Sequence, residues 1–264
     1  MAELTKRLCT EFVDPEALTT FVAGRLVPLE KGANDVRPIG IGETIRRVCA
    51  KAVGNVLRKD IQKAAGTLQV CCGMKGGCEA AIHAMREVFE NPETEAALLI
   101  DASNAFNSIH RETCLHNISI LCPVLYTFLV NTYRVPINLF VPSWACKIMS
   151  VEGTTQGDPC AMQMYAIGVV PLIHSGQKAT DSKDFLQVWY ADDATGAGKL
   201  PTLRKWWDNI STEGPGSQHS HSKKKTEPST RRNSETRYRC GTDGDRKTSR
   251  KNVRVGTTTP WLTV

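Results

Sequence analysis

The sequence lacks any long apolar run, and aromatic residues make up only 6% of it. No stretch of about 18 or more consecutive apolar residues occurs, so a transmembrane helix is not expected. The N-terminal stretch MAELTKR lacks the apolar core of a secretory signal peptide. We therefore expect an intracellular protein of the nucleus or cytoplasm with no membrane partner. Hydrophobic residues make up 41% of the 264 residues, enough for one large domain or two small ones.

The ten cysteines also lack the spacings of a metal or redox motif. No two of them form C-x-x-C, and no second cluster completes a zinc pattern. Cys71, Cys72 and Cys78 are the nearest to a cluster, but their spacing does not favour a metal site. We expect reduced thiols, most of them buried.

Positive charge is concentrated at the end of the chain. Residues 1–215 contain 21 Lys and Arg against 23 Asp and Glu, a net charge of −2, whereas residues 216–264 contain 12 against 4, a net charge of +8. The same last segment has 7 hydrophobic residues in 49 and no helical or strand period. We predict that residues 216–264 form a basic, disordered tail. The charge of the body does not itself argue for nucleic-acid binding.

Several segments have the apolar spacing of helices. Asp14 and Pro15 form a helix-start signal. In residues 43–63, Ile45, Val48 and Val56 share one face, with basic residues mostly elsewhere. Further helices are expected in residues 78–91, in residues 109–133 with an interruption near Cys122-Pro123, in residues 160–173 and in residues 203–211.

Residues 26–42 contain two short β-like runs around a Gly-Ala-Asn-Asp turn, which predicts a hairpin. Lys31 and Arg37 lie near the ends of this hairpin and could reach one side together. Paired Lys and Arg side chains suit an anionic ligand such as a phosphate. The alternative is two solvated cations on a loop.

Acidic residues stand at the ends of two expected strands. Residues 96–101 are an apolar run that ends in Asp101, typical of a strand covered on both faces. A second β-rich run is followed by Asp192 and Asp193, which either lie in solvent at a hairpin tip or hold metal, because burying an ionised carboxylate is costly. If the two strands are neighbours, the three carboxylates converge on a site suited to Mg²⁺. Two such ions can promote phosphoryl transfer.

Four motifs, in this order, resemble the reverse transcriptase domain of non-LTR retrotransposons over roughly residues 25–215. They are Arg37-Pro38-Ile39; Leu99-Ile100-Asp101 with Asn104-Ala105-Phe106; Thr155-Gln156-Gly157-Asp158-Pro159; and Tyr190-Ala191-Asp192-Asp193. The resemblance implies an α+β right-hand polymerase fold. Residues 1–95 would form the fingers and N-terminal helices, and residues 96–215 a palm with an antiparallel sheet, helices and the catalytic carboxylates.

The resemblance also implies a metal site. Asp101 and Asp192 would be the principal metal ligands, and Asp193 the third carboxylate. Together they would hold two Mg²⁺ ions, for which Mn²⁺ can substitute.

The same resemblance implies a nucleotide site. Phe106 would lie beneath the incoming sugar, where its ring would clash with a 2′-hydroxyl and so favour dNTPs. Gln156 and Gly157 would line the nucleotide pocket and contact the template, and Lys31 and Arg37 would hold the triphosphate.

The implied activity is RNA-directed DNA synthesis, in which a primer 3′-hydroxyl attacks the α-phosphate of a dNTP on an RNA or DNA template. The resemblance stops after Gly214-Pro215, where a primer-gripping hairpin and a thumb are expected and are not recognised. A reading-frame shift in an old element copy would produce such a polar, basic tail. The alternative function is therefore a catalytically inactive retrotransposon remnant that at most binds nucleic acid nonspecifically. The sequence defines no oligomeric state.

Overall fold

Helices alternate with short strands along the chain, which gives the mixed α+β architecture that the sequence predicts. The computed structural model describes residues 1–32, 35–102, 104–141, 146–180, 183–216, 239–240 and 253–254. In chain order the elements are α1 (Ala2–Thr10), α2 (Pro15–Val22), β1 (Gly24–Gly32), β2 (Asp35–Gly42), α3 (Thr44–Val56), α4 (Arg58–Ala65), α5 (Gly77–Glu90), β3 (Ala96–Ile100), α6 (Ala105–Ser108), α7 (Arg111–Leu121), α8 (Pro123–Tyr133), β4 (Ile137–Val141), β5 (Cys146–Ser150), α9 (Ala161–Gly168), α10 (Val170–Thr180), β6 (Leu186–Tyr190), β7 (Asp193–Gly198), α11 (Leu200–Gly216), β8 (Arg239–Cys240) and β9 (Val253–Arg254). Among these described helices, none has the length and apolar character needed to cross a bilayer.

The helix boundaries follow local chemistry. Asp14 accepts a hydrogen bond from the backbone N–H of Glu16 (3.0 Å), and Pro15 occupies the first helical position of α2. An N-cap carboxylate satisfies a backbone donor that has no helical carbonyl to bind. The interruption expected near Cys122 separates α7 from α8, which begins at Pro123. Both boundary predictions are confirmed.

The helix expected in residues 43–63 is divided into α3 and α4, and its apolar face points outward. The side chains that α3 buries are Arg46, Cys49, Ala50 and Val53. Ile45, Val48 and Val56 are instead 52%, 50% and 80% exposed. These side chains share one face, as the sequence indicates, but this face is the exposed one, because α3 turns Arg46 inward to a buried partner.

The first sheet has the strand order β2-β1-β4-β5. β1 and β2 form the antiparallel hairpin that the sequence predicts, with Leu29 opposite Arg37. The turn residues Ala33 and Asn34 lie outside the described residues. β4 pairs with β1 in parallel and with β5 antiparallel, so the N-terminal hairpin joins strands that lie about a hundred residues further along the chain.

The second sheet has the strand order β6-β7-β3-β9-β8. β7 lies between β6 and β3 and is antiparallel to both. Tyr190 pairs with Asp193 at the tip of the β6–β7 hairpin, and Ile100, the last residue of β3, pairs with Ala194. The end of β3 and the hairpin tip therefore lie at the same edge of the sheet.

The predicted tail contributes two short strands to the second sheet. β9 pairs in parallel with β3, opposite Leu98 and Leu99, and β8 pairs antiparallel with β9. These four residues depart from the disorder predicted for residues 216–264. Apart from them and Gly216, at the end of α11, that prediction concerns residues outside the described ranges.

Two hydrophobic clusters fill the interior. The first combines α1 to α4 and α7 to α9 with β4, and buries Phe128 and Tyr133. The second lies between the second sheet and α10 and α11, around Trp206. Three partly buried side chains, those of Cys71, Ile109 and Met162, pack against both clusters. The first cluster takes residues from both sides of position 95, and the predicted division into fingers and palm stays a prediction.

A buried glutamine ties the second sheet to its helices. Gln187 of β6 is fully buried, and its amide nitrogen donates to the carbonyl of Ile173 (3.0 Å). Its amide oxygen accepts hydrogen bonds from the indole N–H groups of Trp189 and Trp206, both at 2.9 Å. Buried polar groups are stable when they are bonded in this way. The bonds fix β6, and with it the hairpin that carries the acidic pair.

Candidate active site

The acidic pair lies at a tight turn between β6 and β7. Tyr190 pairs with Asp193, so only Ala191 and Asp192 form the loop. Ala191 has a φ of +54°, in the left-handed region that residues with a Cβ seldom adopt. Short hairpin loops need positive φ because their twist must match that of the strands. The turn therefore holds strain that its surroundings must offset.

Gln69 makes the contacts that offset the strain at Ala191. Its side chain is 1% exposed, and it binds both backbone polar groups of Ala191. The amide nitrogen donates to the Ala191 carbonyl (3.0 Å), and the amide oxygen accepts from the Ala191 N–H (2.8 Å). The flanking backbone bonds of Leu68 and Val70 to Trp189 align this segment along β6. Gln69 is therefore a positioning residue for the acidic turn.

Asp101 completes the acidic group from the neighbouring strand. It follows Ile100, whose partner in β7 is Ala194, so Asp101 lies one position beyond the last pair, beside Asp193. Asp192 is half-buried, whereas Asp101 and Asp193 are exposed. The structure thus brings together the three acids that the sequence singled out.

The three charges act on one another. Burial first, and then the charges of Asp193 and Asp101, raise the pKa of Asp192 to about 6, while the charge of Arg37 opposes them. Burial and then Asp101 also raise the pKa of Asp193. Mutual repulsion of this kind favours a bound cation, since a positive charge relieves it.

The acids do not form a closed metal cage. Among the described residues, no group of three or more His, Cys, Asp or Glu side chains is arranged to hold one ion. Mg²⁺ is usually held by one or two carboxylates, with waters and substrate phosphates as the other ligands. The acidic group fits that open kind of site by its oxygen donors and its repulsion, and the Mg²⁺ ligands predicted from the sequence stay a prediction.

Phe106 is linked to the acidic turn by its contact with Tyr165. Its half-buried ring stacks on that of Tyr165 in α9, with centroids 4.6 Å apart and planes at 22°. Burial raises the pKa of Tyr165, and the charge of Asp192 adds to this effect, so the stacked pair and the acidic turn are neighbours. The hydroxyl of Thr154 donates to the Phe106 carbonyl (3.1 Å), which fixes the start of α6 against the loop after β5.

The Gln156-Gly157 loop packs on β2. The backbone N–H of Gly40 donates to the Gln156 carbonyl (2.7 Å). Gly157 has a φ of +100°, and a Cβ there would lie 2.8 Å from the Gly40 carbonyl oxygen, so only glycine fits. The loop is thereby held against the strand that carries Arg37.

The two predicted cations occupy different places in the hairpin. Arg37 is exposed on β2, and its charge acts on Asp192. Lys31 is exposed on β1 at a bulge, where the pairing skips from Glu30 to Gly32. The structure brings Arg37 within electrostatic range of the acids, whereas Lys31 lies nearer the turn of the hairpin.

Two buried arginines support the loops of the site, and no sequence pattern indicates either of them. Arg46 forms an ion pair with Asp158 (2.7 Å), whose other oxygen accepts from the Cys160 N–H (2.8 Å) at the start of α9. Arg111, which is 4% exposed, donates to the carbonyls of Gly153 (3.0 Å), Tyr133, Ser150 and Glu152. The loop in residues 151–160 is therefore fixed from both ends.

The α+β fold described above is similar to that of solved telomerase structures. Two of these telomerase structures illustrate the likeness. One is apo telomerase from Candida tropicalis, at 12% identity and a TM-score of 0.54, covering 75% of this chain and 42% of that one. Another is telomerase from Candida albicans in complex with a fragment of telomeric RNA, at 11% identity and a TM-score of 0.53, covering 72% and 40%.

This likeness shows the fold alone. The chain spans less than half the length of either telomerase chain. No family model and no curated protein matches the sequence. The resemblance to non-LTR retrotransposons therefore stays a prediction.

Proposed function

We propose that the chain is a reverse transcriptase domain that adds deoxynucleotides to a primer 3′-hydroxyl on an RNA or DNA template. The observation that carries the proposal is the meeting of Asp101, Asp192 and Asp193 at one edge of an antiparallel sheet. The charge interactions among them give the proposal further support. The fold of telomerase supports the polymerase class.

The acids would hold Mg²⁺, or Mn²⁺ in its place. Asp101 and Asp192 would each supply carboxylate oxygens, and Asp193 would orient the group from the start of β7. Two ions bound there would activate the primer hydroxyl and stabilise the leaving oxygen. The primer oxygen would form a bond to the α-phosphorus as the bond to the β-phosphate breaks, and pyrophosphate would leave.

The other residues would position the nucleotide. Arg37, with Lys31 from the same hairpin, would bind the triphosphate. The stacked Phe106 would lie under the sugar, and Gln156 and Gly157 would line the pocket beside the template. Positioning of this kind lowers the entropic barrier to reaction.

A second candidate function is nucleic-acid binding without catalysis, by an inactive remnant of a non-LTR retrotransposon inside the cell, in nucleus or cytoplasm. The net charge of +8 in residues 216–264 favours it, because clustered basic residues bind phosphates regardless of sequence. It requires no metal and no primer.

Primer extension on an RNA template with Mg²⁺ separates the two candidates. We expect extension by the wild-type chain and a loss of at least about a hundredfold, the usual scale for a group that acts in the transition state, in Asp192→Asn. Asp208→Asn, an exposed carboxylate on α11, is the matched control and keeps its activity. A folded wild-type chain that binds template-primer without extending it would support the second candidate.

A further inference from the structure

Sulfur-containing side chains line part of a cavity next to the segment that follows Gln69. It has a volume of about 280 Å³ and lies between α3, α4, α9 and the segment in residues 71–74. Cys71, Cys72, Met74 and Met162 line it, together with Arg58. The proposed polymerase reaction gives this cavity no role.

The two thiols face each other although they are adjacent in sequence. Their sulfur atoms are 3.7 Å apart, and both cysteines are free. Adjacent side chains in an extended strand point to opposite faces. The chain turns at these residues, however, and this brings both thiols to one side.

The cavity contributes further soft donors. The thiol of Cys72 lies 3.6 Å from the carbonyl of Met162, so the start of α9 covers the pair. Thiolates and thioethers are the ligands that select Cu(I) over hard cations such as Mg²⁺. Arg58 at the cavity offers positive charge to a metal dithiolate, which carries a net negative charge.

We propose that Cys71 and Cys72 bind a soft monovalent metal ion, of which Cu(I) is the biological example, with the thioethers of Met74 and Met162 in its surroundings. Each thiol gives up its proton as its bond to the metal forms. A site of two thiolates and two thioethers needs no third His, Cys, Asp or Glu ligand.

Metal binding to Cys71 would also affect the acidic turn. The Cys71 thiol lies close to the backbone N–H of Ala191, the residue that precedes Asp192, and that N–H donates to the amide oxygen of Gln69 (2.8 Å). A metal bound to the Cys71 sulfur would add bulk and charge beside the strained turn that Gln69 holds. Inhibition of DNA synthesis by Cu(I) follows from this contact, and this consequence rests on the proposed function.

Binding is measured on the full chain under oxygen-free conditions, with Cu(I) supplied as a complex of the chromophoric chelator bicinchoninate. We expect the wild-type chain to take one equivalent of Cu(I) more than Cys71→Ser/Cys72→Ser. Cys78→Ser, which removes an exposed thiol six residues further on, is the control and keeps that equivalent. Met74→Leu/Met162→Leu is expected to weaken binding about tenfold, the scale on which groups around a metal site act.

The single variant Cys71→Ser serves if the double variant does not fold, because it leaves the buried Cys72 in place. Equal Cu(I) uptake by wild type and the cysteine variants would overturn the proposal, as would a wild-type chain that retains no Cu(I). Formation of a disulfide between Cys71 and Cys72, with no Cu(I) retained, would also overturn it. The Cu(I) titration does not depend on polymerase activity, so failure of one proposal is distinguishable from failure of the other.

Discussion

Asp192 is the residue on which the candidate site depends, and its titration is open to direct measurement. Its pKa of about 6 lies above the value of about 3.9 for an unfolded aspartate. Between these two values the folded chain binds more protons than the unfolded chain. The free energy of unfolding therefore falls as the pH rises through this window.

We expect Asp192→Asn to remove this dependence. Without divalent cations, the free energy of unfolding of the wild type, measured with urea, should decline from about pH 4 to about pH 6 relative to that of the variant, and the difference should then level off. Asp208→Asn, on exposed α11, should run parallel to the wild type. Parallel curves for wild type and Asp192→Asn would show that Asp192 keeps its ordinary pKa in the folded chain.

At this scale the sequence identifies the acids but not the residues that hold them. Asp101, Asp192 and Asp193 follow apolar runs that predict strands, and their convergence follows on the condition that the two strands are neighbours. Gln69 is not, because a buried glutamine looks the same in sequence as an exposed one. Its role depends on a backbone contact more than a hundred residues away along the chain.

Among the elements, the segment that carries Gln69 controls the β6–β7 turn. In Gln69→Leu, both backbone groups of Ala191 lose their bonds inside the protein. We expect a loss of about 1–3 kcal/mol in the free energy of unfolding, the usual cost of an unsatisfied buried polar group. Primer extension should fall with it, because the carboxylate of Asp192 loses its fixed position.

Urea unfolding and primer extension test this expectation side by side. Gln62→Leu, on the exposed face of α4, is the matched control and should change neither. A Gln69→Leu variant with full stability and full activity would mean that the turn holds its conformation without the glutamine.

The ion pair between Arg46 and Asp158 joins α3 to the start of α9. Both side chains are nearly fully buried, at 3% and 4% exposure. Removing one partner leaves a buried charge without compensation, so Arg46→Met should lower the free energy of unfolding by about 3–5 kcal/mol. Arg46→Met/Asp158→Leu should lose less than the sum of the two single variants.

A double-mutant cycle by urea unfolding measures the coupling. The exposed pair Arg86–Glu90, at 73% and 64% exposure, is the control, and its loss should cost at most about 1 kcal/mol. Additive effects at Arg46 and Asp158 would show that the pair does not act as a unit.

The orientation of α3 shows why helical periodicity alone misleads. Two stripes of residues along α3 have the spacing of one helix face. One contains Val48 and Val56, and the other contains Arg46, Cys49 and Val53. The more apolar stripe is the natural choice from sequence. The structure buries the other one because the guanidinium of Arg46 has partners in Asp158 and in the Val22 carbonyl (2.8 Å).

Across the whole molecule, charge is divided between a body at −2 and a last segment at +8. We expect the full chain to bind single-stranded RNA with a steep dependence of affinity on salt, and a chain ending at residue 216 to show a much shallower one. Each phosphate contact contributes about 0.7 to the slope of log affinity against log salt for single strands.

The control keeps the length of the chain and changes only its charge. Replacing Lys223, Lys224, Lys225, Arg231 and Arg232 with glutamine should lower the salt slope without removing the segment. Equal slopes for all three proteins, measured by fluorescence anisotropy, would assign the binding to the body instead.

The overall architecture is predictable in part. The apolar run before Asp192 and Asp193 is compatible with the β6–β7 hairpin, whose place beside β3 is a condition and not a prediction, and the turn residues predict the β1–β2 hairpin. The parallel contact of β1 with β4 is not predictable from these patterns, because it joins distant segments that carry no matching local signal. Nor does composition predict β8 and β9 within a polar, basic segment.

The two hydrophobic clusters divide the molecule differently from the motifs. Ala191 and Trp189 belong to the second cluster, whereas the helices that support Arg46 and the loop at Gln156 pack in the first. If each cluster opens as its own cooperative unit, amide protons of β6 and β7 will exchange with solvent at a rate different from those of α8. The acidic site would then lose its structure in a local opening where the two clusters meet, at Cys71, Ile109 and Met162. Most of the chain would keep its native structure.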